Sequence, residues 1–203
     1  KDMGYGTGLY RRPQYMCVKV PVFSFEKLID VDVQLGPEMK STGEVLGIGR
    51  TLDEALYKGL VAAGYKMKKD GGIFITVRDR DKNEIAEIAE KYAEMGFKIY
   101  ATSGTAEILR EAGMTVIEVP KIHENPEYNS MTLVESGDIN YIISSSAKGR
   151  LPQKDSVKIR RKAVEHSIPC LTSLDTANAL ADSLMSKYSQ ENTELVELND
   201  MKH

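Results

Sequence analysis

The chain has few cysteines and no tryptophan. Its 203 residues include only Cys17 and Cys170. These two lie too far apart to form a CxxC pair or a zinc-ligand spacing. Small secreted domains that rely on disulfides are rich in cysteine, so we expect a cytoplasmic location.

Long hydrophobic runs are also missing. No apolar run approaches the roughly 20 residues that a membrane-spanning helix needs, and no signal peptide is visible. We therefore expect no membrane partner. Because the chain begins at Lys1, we also expect it to be part of a longer protein.

An excess of one charge is absent, since 27 basic and 30 acidic residues give a net charge of −3. A nucleic-acid-binding domain usually carries a clear basic surplus, so we expect no nucleic-acid partner. No P-loop, no Ser/His/Asp order and no metal-ligand spacing occurs. We expect no metal site and no resident cofactor.

Strands and helices alternate regularly after residue 71. Short apolar runs predict strands at 73–77, 97–101, 116–119, 141–143 and 168–171. Segments with helical periodicity lie between and after them. Strands that are apolar on both faces indicate a parallel sheet covered by helices on both sides. The predicted fold is therefore α/β, a Rossmann-like parallel sheet of about five strands over residues 71–203.

The first 70 residues have a different pattern, which predicts a separate short α+β unit. Alternation predicts strands at 15–23 and 45–48, with a short helix at 23–31. Thr51 and Glu54 predict a capping box for the next helix, and Asp81 and Glu84 predict another. The alternating tail at 193–198 predicts an additional edge strand.

The stretch 98–106 predicts a strand, a tight turn and a helix. The first N–H groups of a helix have no partner inside it and attract anions. Thr102, Ser103 and Thr105 add hydroxyl groups, and Gly104 allows close approach to the backbone. This turn is either a phosphate site or an ordinary Thr/Ser cap.

Other polar residues follow the neighbouring strands. They are Thr76 and Lys82 after the first strand, Lys121 after the third, and Ser144, Ser145 and Ser146 after the fourth. Parallel strands bring their carboxyl ends to one edge, where ligands bind. Cations and hydroxyls at one point favour a phosphorylated ligand. Each of these side chains could also be solvated, and we expect Arg160 and Arg161 to lie on a solvated helix face.

Several motifs resemble one known family. LGPEMKSTGE at 35–44 resembles the end of the second ATP-grasp half of carbamoyl-phosphate synthetase large chains. VRDRDK at 77–82, ATSGTA at 101–106 and KIHE at 121–124 resemble the C-terminal allosteric domain of those chains, which has the methylglyoxal-synthase-like fold. The resemblance implies an ATP-grasp remnant with a connecting helix at 1–70 and an effector-binding domain at 71–203.

In that family the domain binds a nucleoside monophosphate, with UMP as inhibitor or IMP as activator. The resemblance implies that Lys82, Thr102, Thr105 and Lys121 hold the phosphate. Thr76 and Ser144 to Ser146 would lie nearer the ribose and base. KGR at 148–150 leaves the choice of effector open, and Cys170 stands where some ornithine-responsive members carry an aromatic residue.

The resemblance also implies partners and a pathway. The fragment itself would be non-catalytic, whereas the parent ligase would use ATP with Mg or Mn and glutamine to make carbamoyl phosphate for pyrimidine and arginine biosynthesis. Its partners would be the rest of the large chain, a glutaminase small subunit and further copies in an oligomer.

Two alternatives remain open. Methylglyoxal synthase, a lyase of the same fold, needs an aspartate base beside a Gly-Gly-Asp run. The corresponding residues 125–130, NPEYNS, contain neither, and general-base catalysis requires such a carboxylate. The other alternative is a subunit-interaction module without a ligand.

Overall fold

The computed structural model describes Gly8 and residues 13–24, 39–145 and 154–200. Its strands and helices alternate after β2. They are β1 (Met16–Val22), β2 (Gly43–Gly49), α1 (Leu52–Ala62), β3 (Gly72–Thr76), α2 (Lys82–Glu94), β4 (Lys98–Ala101), α3 (Ser103–Glu111), β5 (Val116–Glu118), α4 (Ser130–Ser136), β6 (Tyr141–Ser144), α5 (Lys154–Glu165), β7 (Cys170–Leu171) and α6 (Leu174–Met185). Short 3-10 turns lie at Asp79–Asp81 and Leu198–Asp200.

The main sheet has five strands in the order β5-β4-β3-β6-β7, and every pairing in it is parallel. From the central β3 the chain moves outward through β4 to β5. It then returns to the other side of β3 and continues through β6 to β7. The predicted α/β fold with a five-stranded parallel sheet is confirmed.

Helices cover both faces of this sheet. Ile73 and Ile75 of β3 belong to one buried cluster, which α2, α3 and α6 complete. Phe74, between them, belongs to a second cluster that includes Leu133 of α4 and Ile159 of α5. Successive strand residues point to opposite faces, so strands buried on both sides read as continuous apolar runs.

The first unit consists of an antiparallel β1–β2 pair with α1 packed on it. Glycines make this packing close. A Cβ added at Gly47 would overlap the carbonyl oxygen of Ala55, and one added at Gly59 would lie 2.8 Å from Val20 Cγ2. The two predicted strands and the helix are confirmed. The domain boundary near residue 70 stays a prediction, and the helix predicted at 23–31 lies almost wholly outside the described residues.

The tail does not form the predicted edge strand. Residues 193–197 have no regular secondary structure, and the segment lies against α1 instead. The Lys58 ammonium donates to the Glu194 carbonyl oxygen, and Arg50 Nε lies 3.6 Å from the Glu194 carboxylate. The prediction was wrong because side chains of the first unit, and not a strand backbone, are the partners here.

The helix starts differ in detail from the predicted capping boxes. The Thr51 hydroxyl accepts from the Glu54 N–H at 3.2 Å as predicted, but the Glu54 carboxylate accepts from the Arg50 N–H at 2.9 Å. Asp81 makes no side-chain cap of α2, so that predicted box was wrong. Its carboxylate pairs with Arg78 Nε at 2.7 Å, and this charged partner is the physical reason.

One helix was not predicted from the sequence. The helix α4 has only seven residues, too few for a periodic pattern. Asn129 caps it by accepting from the Met131 N–H at 2.8 Å, and Gly137 follows it with φ 82°. These two residues were the available signal, because Asn and Gly favour the two ends of a helix.

Candidate functional site

The carboxyl ends of β3, β4 and β6 bring predicted site residues together. Thr76, the last residue of β3, is in register with Ser144, the last residue of β6. Thr102 follows β4, and its hydroxyl donates to the Thr76 hydroxyl at 3.2 Å. The three residues therefore occupy one edge, on both sides of the point where the strand order reverses. Ligands bind at this point in open α/β sheets.

The first turn of α3 lies at this edge. Thr102 is the N-cap residue with extended backbone, but its side chain makes no cap hydrogen bond. The ordinary-cap alternative is therefore wrong for Thr102. The Thr105 hydroxyl accepts from the Val77 N–H at 3.3 Å, which ties α3 to the loop after β3. Ser103 and Gly104 are the first two residues of α3, so no carbonyl inside the helix can accept from their N–H groups.

Lys82 supplies a positive charge beside this turn. It is the first residue of α2, and a Cβ built at Gly104 would lie 3.1 Å from its Nζ. The absence of a side chain at Gly104 therefore makes room for the ammonium. The same ammonium pairs with Asp79 Oδ1 at 2.8 Å, with the Lys82 side chain 23% and the Asp79 side chain 94% exposed. The carboxylate is on the solvent side of the pair.

Both carboxyl groups of the 3-10 turn have lowered pKa values. The hydrogen bond and the charge of Lys82 lower the pKa of Asp79. Burial acts to raise the pKa of Asp81, but hydrogen bonds from Ser145 and Arg78 and the nearby positive charges lower it overall. Both groups are therefore ionised at neutral pH. The start of this turn is also tied to the residue that follows β6, because the Ser145 hydroxyl accepts from the Arg78 N–H at 3.2 Å.

Two other predicted residues are less closely placed. Ser103 is exposed at the start of α3, and Lys121 is exposed after β5, where its N–H donates to Glu124 at 2.7 Å. Within the described ranges, no hydrogen bond joins the Lys121 ammonium to Thr102. Ser146 lies outside the described residues. The structure thus brings together the polar ends of β3, β4 and β6, and it places Lys121 at the outer edge of the sheet.

The outer side of α3 is acidic. An open depression of about 550 Å³ there is lined by Ser103, Gly104, Glu107, Arg110, Glu111 and Glu118. Arg110 Nη1 pairs with the Glu118 carboxylate at 2.9 Å. The positive charge of Arg110 is therefore directed to Glu118 and not to Glu107 or Glu111. An anion at the start of α3 is therefore favoured on the Lys82 side.

Sequence reasoning missed the pairing of Asp79 with Lys82 and of Asp81 with Arg78. The signal was the three-residue spacing within RDRDK, because side chains three apart meet on a helical turn. The expectation that Arg160 lies on a solvated helix face was wrong, since this residue is only 7% exposed. Arg161 is half-buried and lies 3.5 Å from Glu165.

Residues 125–130, where the lyase would need its base, form the loop before α4, its N-cap and its first residue. Asn125 accepts from two backbone N–H groups, and Asn129 is the cap. Among the described residues, no group of three or more His, Cys, Asp or Glu could hold a metal ion. No helix in the described ranges has the length and apolar character to cross a membrane.

The fold is that of a known domain class. Residues 84–172 match the MGS-like domain, so this part of the chain is an MGS-like domain. Over 200 residues the chain is 43% identical to the carbamoyl phosphate synthase large chain of Clostridium botulinum (strain Langeland / NCTC 10281 / Type F). The match includes 98% of this chain and 19% of that protein. The resemblance to the MGS-like allosteric domain of such large chains is confirmed, and the chain spans about a fifth of this relative's length.

Proposed function

We propose that the chain is a regulatory domain of a carbamoyl phosphate synthase large chain. In this proposal it binds the phosphate group of UMP or IMP at the carboxyl ends of β3, β4 and β6. The observation that carries the proposal is the position of the Lys82 ammonium beside Gly104 in the first turn of α3. A lysine charge and free backbone N–H groups at one point are what a phosphate monoester requires.

The hydroxyl groups of the edge fit the same ligand. The Thr76 hydroxyl accepts from Thr102, and the Thr105 hydroxyl accepts from a backbone N–H. Each therefore keeps its own hydrogen for donation to a ligand oxygen. Thr105 and Lys82 then hold the phosphate together with the N–H groups of Ser103 and Gly104, and Thr102 joins them when its hydroxyl hydrogen turns from Thr76 to the ligand. The residues Thr76, Ser144 and Ser145 lie nearer the ribose and base, and Lys121 approaches from the loop after β5.

The proposed role is regulatory, and the chain itself carries out no reaction. The nucleotide tunes ATP- and glutamine-dependent synthesis of carbamoyl phosphate for pyrimidine and arginine biosynthesis, because it binds two states of the parent enzyme with different affinity. ATP with Mg or Mn binds in the remainder of the large chain. The further partners are a glutaminase small subunit and other copies of the enzyme in a cytoplasmic oligomer.

Calorimetric titration with UMP and IMP tests this proposal. A charge-assisted hydrogen bond contributes about 1.5–3 kcal/mol, so Lys82→Ala should weaken binding by about ten- to a hundredfold. The matched control is Lys98→Ala, because Lys98 is exposed at the opposite, amino end of β4. If the Lys82→Ala variant binds UMP and IMP with wild-type affinity, the assignment of Lys82 to the phosphate is contradicted.

A further inference from the structure

The loop that delivers Lys82 carries a nearly balanced charge. Residues 78–82, RDRDK, contain three cations and two carboxylates, a formal charge of +1. The Asp81 carboxylate lies 2.7 Å from Arg78 Nε and 3.4 Å from Arg80 Nε. Asp79 is thus the carboxylate that pairs with Lys82, the residue proposed to bind the phosphate. A bound anion must either displace Asp79 from the ammonium or share the ammonium with it.

We expect Lys82 to keep its position when Asp79 is replaced. The Lys82 side chain is 23% exposed and its end lies beside Gly104, whereas the Asp79 side chain is 94% exposed. Removal of the carboxylate therefore leaves the ammonium at the start of α3. Asp79 acts on a ligand chiefly through its negative charge.

We propose that Asp79 is a specificity-determining residue that selects for ligands of low negative charge, an inference that rests on the proposed function. Its carboxylate competes with a single phosphate group for Lys82. It repels each additional phosphate of a diphosphate or triphosphate as well, because like charges within a Debye length of about 10 Å oppose one another. The site therefore favours a nucleoside monophosphate over its more highly charged relatives.

The expected effect follows from Coulomb's law. A unit charge about 4 Å away in a water-like environment changes an affinity about fivefold, and the exposure of Asp79 makes that environment the appropriate one. Asp79→Asn should tighten UMP binding about fivefold and UTP binding by a larger factor. Both gains should shrink in 1 M salt, where the Debye length is about 3 Å.

The experiment is calorimetric titration of the whole chain with UMP, UTP and inorganic phosphate, at low and high salt. Asp79→Glu keeps the charge and should retain wild-type affinities. Glu90→Gln is the matched control for net charge, since Glu90 is exposed on α2 and lies eight residues, about 12 Å, from Lys82.

The outcomes separate this inference from the proposed function. If UMP binds through Lys82 but Asp79→Asn shifts the UMP and UTP affinities no more than Glu90→Gln does, the inference on Asp79 is overturned. If wild-type UMP binding is absent or unaffected by Lys82→Ala, the phosphate site itself is overturned. A gain in Asp79→Asn that is larger for UTP, and that Asp79→Glu does not share, supports the inference.

Discussion

Replacement of Gly104 by alanine should separate ligand binding from folding. The added Cβ would lie 3.1 Å from Lys82 Nζ and 3.8 Å from its Cε, so the ammonium must move by a few tenths of an ångström. The end of a lysine side chain can make this movement cheaply. Alanine is also the better helix former by up to about 1 kcal/mol, and the gain is smaller in a first turn. We therefore expect unchanged or slightly raised stability and up to about tenfold weaker UMP binding.

Thermal unfolding and calorimetry measure these two effects on one sample. For a chain of this size, 1 kcal/mol corresponds to a Tm shift of about 2–4 °C, so Tm should stay within that range of the wild type. The same change in a Lys82→Ala background should cost much less affinity, because a double-mutant cycle isolates the shared interaction. The reasoning is refuted if Gly104→Ala binds UMP as the wild type does, or if its loss of affinity is the same with and without Lys82.

Two further predictions concern the stability of the first unit. Gly47→Ala should destabilise the chain by about 1–3 kcal/mol, because its Cβ would overlap the Ala55 carbonyl oxygen. Gly43→Ala in the same strand is the control, since its Cβ would meet nothing within 4 Å and the change should be close to neutral. Denaturant unfolding compares the two variants, and equal stabilities would contradict the close packing at Gly47. Burial acts to raise the pKa of Glu54, but Lys58 and the Arg50 N–H lower it overall. Its stabilisation is therefore present above pH 4.5 and is lost as the pH falls through the lower folded-state value. Glu54→Gln should be less stable than wild type by about 1–3 kcal/mol at pH 7, with the difference shrinking toward pH 3 in urea unfolding, and a difference independent of pH would argue against the ion pair.

The order of the strands could be predicted because each strand is a short apolar run bounded by polar turns. In β3, Phe74 is buried on one face of the sheet and its neighbours Ile73 and Ile75 on the other, so all three positions are apolar and the strand is visible in the sequence as an apolar run. The polar strand ends could be predicted for the same reason, since any residue after a parallel strand lies at the same edge of the sheet. Thr76 and Thr102 are hydrogen-bonded there although they are 26 residues apart.

Specific side-chain partners could not be predicted in this way. Asp81 has the position and residue type of a helix cap, but a nearby guanidinium offers a stronger partner than a backbone N–H. The tail at 193–198 alternates as an edge strand does. Its partner, however, depends on the direction in which the chain continues after α6. Tyr188 hydrogen-bonds to Thr51 at 3.1 Å, and this return to the first unit depends on tertiary structure that local pattern does not contain.

The helix α2 connects the proposed phosphate site to the first unit. Its first residue is Lys82, and Lys91, further along it, donates to Asn178 of α6 at 2.7 Å. The helix α6 in turn packs against α1. A chain of contacts does not by itself couple the two sites. Coupling requires that the effector favours one of two arrangements of the helix that connects them. Since α2 contacts both the proposed ligand site and α6, we expect a shift of α2 to be the means by which a bound nucleotide influences the first unit.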